Sequence, residues 1–265
     1  MLVKLAVGNE DVTHRHLQSL YHLGIVSRLT IPRLGQRGEF IYFLENAPAL
    51  RELIPRLGVE INWEHVRSNA ERYSEAALRA ADGVGRFMFL RHELMISDFR
   101  CSLEIACQSS EGRIELARFE QGASIWRSVR LASDLTLPFR PDALLTLRHA
   151  TAPEGQQRAN FFYEADRSTT SLPRLEQKFQ AYLHYLKQGR QEQDFGIRKV
   201  RGVLVETISA ERLAQCLALV SALAAKEPLA GLLFWFAVAN DETRERTFEP
   251  HWVCSVAGPG RSILD

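Results

Sequence analysis

Cysteine is scarce and unpatterned in this chain. Its four cysteines, Cys101, Cys107, Cys216 and Cys254, form no CxxC pair and no Cys/His spacing of the finger type. That excludes a disulfide framework and a zinc ribbon, and it points to reduced thiols packed in a core. No apolar run is long enough to span a membrane. The longest, Leu229 to Ala239, falls far short of the roughly 20 residues a spanning helix needs. The opening MLVKLAVGNED is too short an apolar run for a signal peptide. These absences predict a soluble, cytoplasmic protein with no membrane partner. Neither sign of charge dominates: 33 Lys and Arg face 32 Asp and Glu, for a net charge of +1. Affinity for a polyanion must therefore come from local clusters, because the whole molecule exerts no pull. There is no P-loop, GxSxG, HExxH or dinucleotide fingerprint, and no internal repeat. What remains is 265 residues, 46% of them hydrophobic, which suits one mid-sized core with a small appendage.

The appendage comes first. Residues 11–24, DVTHRHLQSLYHLG, place Leu17, Leu20 and Leu23 on one face and end on Gly24, which predicts a short helix. IVSRLTIPRL, GQRG and EFIYFL then read as strand, tight turn and strand. A helix running into a β-hairpin is the closing half of a winged helix, with the helix as reader and the hairpin as wing. His14, Arg15 and Gln18 lie off the apolar stripe, and Arg33 and Arg37 flank the turn. These residue types contact bases and phosphates. A full winged helix has two further helices before this one, so the expectation is a partial module that is either truncated or completed by a partner. A plain packing module with a solvated basic face is the alternative. The expected organisation is 1–47 as partial winged helix, 48–82 as helical connector and 83–265 as an α/β domain.

Beyond Gly83 and Gly85 the order becomes regular. Phe87 to Cys107 carries His92, Ile96, Phe99 and Leu103 at helical spacing. RIELARFE, PDALLTL and NFFYEADR read as three strands, Ser171 to Leu186 as a helix, VRGVLVET as a strand, Ala210 to Ala225 as a helix, and LLFWFAVA as a fully buried strand. The order α-β-β-β-α-β-α-β predicts a mixed sheet flanked by helices.

Two strands of that meander carry the informative carboxylates. Asp142 opens one, and Glu164 and Asp166 close the next, two residues apart and so on one face. A hairpin pairing brings Asp142 to Glu164. Three carboxylates make a hard oxygen site suited to Mg²⁺ or Mn²⁺, an ion that polarises a phosphodiester and activates its attacker. Lys178, on the following helix, is the candidate cation, with Tyr182 and Tyr185 on its face.

Order and residues together resemble the PD-(D/E)XK nuclease superfamily, whose core is α-β-β-β-α-β. Asp166 stands where that superfamily usually carries Lys, and in some of its branches the lysine has moved to the next helix, where Lys178 lies. A closer resemblance rests on HLQSLYHLGIVSRL, RHELMISDFRCSLEIA, FRPDALLTL, FFYEADRSTTSLPRLEQKFQAYLHY and VRGVLVET. These blocks are similar to those of the replication-relaxation family of plasmids and integrative elements, to which MOBC-type conjugative relaxases look related. The resemblance implies a restriction-endonuclease-like α/β domain behind a winged helix, acting on double-stranded DNA at a specific origin with relaxosome or replication proteins; the sequence leaves the oligomeric state open, a homodimer included. It also implies that Asp142, Glu164 and Asp166 hold a metal and that Lys178 assists catalysis. The alternative is a non-catalytic accessory or regulatory factor on a degenerate nuclease scaffold.

The remaining candidates have two readings each. Glu93 and Glu104 share a helix face and either assist a metal or flank a solvated helix. His92 on the apolar stripe is either a ligand or, as is commoner at such a position, a core histidine. Arg167 to Thr170 either receives a phosphate at the helix start, with Arg167 as the DNA contact, or caps that helix.

Overall fold

The structure, a computed structural model, describes residues 9–33, 36–58, 61, 63–72, 83–131, 135–256 and 260–264. The chain divides into two compact units between Leu94 and Met95.

The N-terminal unit opens with α1 (Glu10–His22), capped by Asn9, whose side-chain oxygen accepts the Val12 N–H at 3.1 Å. Such a cap contributes about 1 kcal/mol. Gly24 ends the helix at φ +68°, a conformation that costs glycine little. The chain then enters β1 (Val26–Arg33) and returns in β2 (Gln36–Leu44), with Val26 opposite Leu44 and Ile31 opposite Glu39. The register shifts between Ile31 and Arg33, at Pro32, which has no N–H to give the ladder. The turn expected at GQRG is shorter than the sequence suggests, because Gln36, Arg37 and Gly38 belong to β2. Residues 34–35, and the side chains of Arg33 and Arg37, lie outside the described residues. The expected connector supplies α2 (Pro48–Arg56), with Pro48 in its first turn and Leu50 and Ile54 buried, and α3 (Trp63–Arg72). The rest of it, 73–82, lies outside the described residues.

α4 (Gly83–Ser109) leads into the larger unit. There β3 (Ile114–Gln121), β6 (Ala143–His149), β7 (Arg158–Asp166), β8 (Gly202–Thr207) and β9 (Phe234–Val238) form one sheet, in the order β3-β6-β7-β8-β9. The first three strands form an antiparallel meander, while β8 runs parallel to β7, and β9 to β8. α5 (Leu172–Lys187) and α6 (Arg190–Phe195) connect β7 to β8, and α7 (Ala210–Ala224) and α8 (Leu229–Leu233) connect β8 to β9. α9 (Asp241–Glu245) follows. The mixed sheet flanked by helices is as expected from the order of elements.

Alternation along the strands builds two cores. Leu144, Phe162, Val203, Val205, Phe234 and Phe236 pack with Leu175, Phe179 and Tyr182 of α5 and with Cys216 and Val220 of α7. Their neighbours Leu145, Phe161, Tyr163, Leu204 and Trp235 pack with Met95, Ile96, Phe99 and Leu103 of α4 and with Trp252 and Ile263. β8 is buried at every residue, as a parallel strand covered on both faces must be.

Two further features differ from expectation. A separate hairpin, β4 (Arg127–Arg130) with β5 (Thr136–Phe139), lies between β3 and β6. Strands of four residues are too short to give a period. Residues 229–233, expected partly in the last strand, form α8 instead. Pro228 starts that helix, and a Cβ at Gly231 would stand 3.1 Å from Ser255 and Val256.

Candidate functional site

The β6–β7 pairing brings the expected residues together. Asp142 precedes β6, and its backbone N–H donates to Tyr163 O at 3.1 Å. Its carboxylate accepts the Ala165 N–H at 2.8 Å. The Asp142 carboxyl therefore lies beside the peptide group that follows Glu164. Strand alternation points Glu164, like Phe162, toward α5. There Lys178 Nζ donates to Glu164 Oε2 and the Tyr182 hydroxyl to Oε1. Lys178 lies two turns into α5, with Tyr182 four residues on and hence on the same face. The Glu164 side chain is only 5% exposed and that of Lys178 31%, so Lys178 is the more accessible partner of the pair.

Burial pushes the Glu164 carboxyl up to about 8, against the opposing pull of the Lys178 ammonium, and the Asp142 charge adds to the rise. Burial alone would lower Lys178, but the Glu164 and Asp142 carboxylates outweigh it and hold the ammonium above its ordinary value. Tyr182 is raised by burial and by Glu164, so its hydroxyl keeps its proton and stays a donor.

Asp166 shares the face of Glu164 but has a different partner. Arg212 of α7 donates Nε to Oδ2 at 2.5 Å and Nη2 to Oδ1 at 3.4 Å, and also reaches Thr170 O at 2.7 Å. The Ser168 N–H donates to Oδ1 at 3.1 Å. This fork holds Asp166 in a buried ion pair. Among the described residues no group of three or more His, Cys, Asp or Glu side chains is placed to hold a metal. Asp142, Glu164 and Lys178 thus form a cluster, and Asp166 ties the end of β7 to α7. Sequence reasoning missed Arg212, which lies 46 residues beyond Asp166 with no periodicity to link them.

The other candidates fall as follows. Tyr185 donates its hydroxyl to Asp194 at 2.8 Å, away from Glu164. Arg167 is half-buried. The N-cap residue of α5 is Ser171, whose side chain makes no capping bond. Glu104 pairs with Arg100 at 3.7 Å, and Glu93 and His92 are half-buried. His14, Arg15 and Gln18 are exposed on α1. Arg140, two residues before Asp142, lies over the exposed Trp126 ring at 5.4 Å.

The sequence pattern of the replication-relaxation family matches residues 2–200, well over half of the 265 residues. The chain belongs to the replication-relaxation family. Membership ties it to a replication- or mobilisation-related role, and the family match spans both the α1 hairpin module and the Asp142, Glu164 and Lys178 cluster. β8, α7 and β9 lie beyond the matched region, and with them Arg212. No curated protein and no solved structure matches this replication-relaxation chain. No helix among the described residues is long and apolar enough to cross a membrane.

Proposed function

We propose that this replication-relaxation protein acts in the cytoplasm on double-stranded DNA at the origin of a plasmid or integrative element, and nicks it in a divalent-metal-dependent reaction. The observation that carries the reading is the convergence of Asp142, Glu164 and Lys178 at one end of a β-hairpin backed by a helix. It occurs in an α4-β3-β6-β7-α5-β8 order, the order that the nuclease resemblance implies. Exposed His14, Arg15 and Gln18 supply the groove-reading residue types.

The residues fit a Mg²⁺ or Mn²⁺ site of two carboxylates. Mg²⁺ commonly takes one or two carboxylates and completes its shell with water and substrate phosphate. Asp142 and Glu164 would hold it, and Asp166, committed to Arg212, is left out. Bound there, the ion would supply Lewis acidity to the phosphodiester. Lys178 keeps its proton on Nζ and presents positive charge where the phosphorane gains negative charge. Tyr182 fixes the Glu164 carboxyl from the far side through Oε1.

Nicking of supercoiled plasmid carrying the cognate origin, followed with Mg²⁺ and with Mn²⁺, tests this. Glu164→Gln and Asp142→Asn should lower the rate by orders of magnitude and leave origin binding largely intact. Lys178→Ala should cost roughly 10²–10³-fold. A second reading, an accessory or regulatory DNA-binding factor without catalysis, is favoured by one observation: both Glu164 oxygens already accept hydrogen bonds. Tight origin binding with no metal-dependent cleavage would select it.

A further inference from the structure

On the N-terminal unit a guanidinium lies over two exposed rings. Arg28 of β1 has its Cζ 4.4 Å from the centroid of the Tyr21 ring on α1 and 4.4 Å from that of the Phe40 ring on β2. The register explains why: Thr30 faces Phe40 and Arg28 faces Tyr42, so Phe40 is the diagonal neighbour of Arg28 on one hairpin face. All three side chains reach solvent, with Tyr21 36% and Phe40 46% exposed. Among the described residues no hydrogen bond or ion pair occupies the Arg28 donors.

The arrangement has a chemical consequence. The Tyr21 and Phe40 rings each restrain the guanidinium by cation–π contact at 4.4 Å, and its edge carries five N–H donors in a fixed fork for a ligand. That edge matches two oxygens of one phosphate, and its rotamer freedom is spent before any ligand arrives. The arrangement also continues a row. His14, Gln18 and Tyr21 stand at i, i+4 and i+7 on α1 and are exposed, so they share one helix face, and Tyr21 carries that row onto the hairpin at Arg28. Thr30, exposed two residues along on the same hairpin face, adds a hydroxyl donor.

We infer that Arg28, restrained by Tyr21 and Phe40, is a preset phosphate contact through which the N-terminal unit grips the backbone of double-stranded DNA. The inference rests on the DNA-directed reading above and adds to it a contact that the expected wing residues Arg33 and Arg37 do not include. Phosphate contacts fix register without reading sequence, so the grip serves cognate and random duplex alike.

The test is binding of the full chain to duplex oligonucleotides across a range of salt concentrations, followed by fluorescence anisotropy. Arg28→Ala should weaken binding by about ten- to a hundredfold, the range of one charge-assisted bidentate contact. It should also lower the slope of log affinity against log salt by about one. Arg28→Lys keeps the charge and loses the fork, so the slope should stay while affinity falls by a smaller factor. Tyr21→Leu and Phe40→Leu leave the charge in place and release its orientation. They should also weaken binding at unchanged slope, a result that a merely structural Arg28 would not produce. Should Arg28→Ala fail to fold, Arg28→Lys and Phe40→Leu carry the test. Wild-type affinity and slope in folded Arg28 variants would overturn the inference and leave the DNA reading standing. A wild-type chain that binds no duplex at any salt would end both. Arg28-dependent binding of an acidic peptide in place of duplex would assign Arg28 to a protein partner and overturn the inference as well.

Discussion

At the scale of single residues, Glu164 and Asp166 differ by their partners more than by their positions. Asp166 and Arg212 are both buried, with side chains 5% and 7% exposed. Asp166→Ala would leave a guanidinium stranded away from water, a loss that costs about 3–5 kcal/mol for a buried pair. Chemical denaturation should show that loss, and a smaller one for Asp142→Ala, whose side chain is half-buried. Glu164 carries a pH signature instead. Its folded-state value, up to about 8, lies above the ordinary 4.5, so the folded protein binds a proton that the unfolded chain releases first. That contribution to stability is full below about 4.5 and is lost as pH rises through about 8. Metal-free wild type should therefore lose stability between pH 5 and 9, and Glu164→Gln should lose less, as measured by denaturant midpoints across that range. Cys216, pushed up to about 12 by burial and by Asp166, should resist alkylation in the folded protein at pH 8. The carboxylates and Lys178 were legible in the sequence because two strands and one helix fix their faces by period alone. The choice between them was not, because Arg212 approaches from a helix whose packing no local pattern encodes.

At the scale of elements, the β4–β5 hairpin shows what periodicity misses. Its strands are four residues long and one contains Pro138, yet it fills the core beneath α5. The Phe139 ring stacks on Tyr185 at 3.8 Å and meets Phe162 and Tyr182 edge-on. Phe139→Ala should cost about 3–5 kcal/mol, in the range of a sheet-core substitution, and thermal or denaturant unfolding would measure it. A loss below 1 kcal/mol would mean the hairpin is a surface flap. The five sheet strands and α4, α5 and α7 were legible because each is long enough for its buried stripe to repeat. The turn between β1 and β2 and the start of β9 were misjudged by a few residues, since β2 begins at Gln36 and α8 takes 229–233. Element ends depend on caps and neighbours more than on period.

At the scale of the whole molecule, both apolar clusters that sandwich the sheet consist of residues from 95 onward. A fragment of residues 83–265, which keeps α4 whole, should unfold cooperatively with the near-UV signal of the buried Trp235 and Trp252. A broad, non-cooperative transition would show that the N-terminal residues are needed to complete its core. The sequence by itself determined the order of the five sheet strands and of the long helices between them, the shared face of Glu164 and Asp166, and the family, because these follow from period, strand alternation and residue pattern. Only the tertiary structure decided which charges meet. Whether Glu164 faces Lys178, whether Asp166 is spent on Arg212 and whether Arg28 lies against Tyr21 and Phe40 depend on how separate elements pack, some adjacent along the chain and some, like Asp166 and Arg212, 46 residues apart. No local interaction specifies such contacts; they are fixed only when burial brings the elements together.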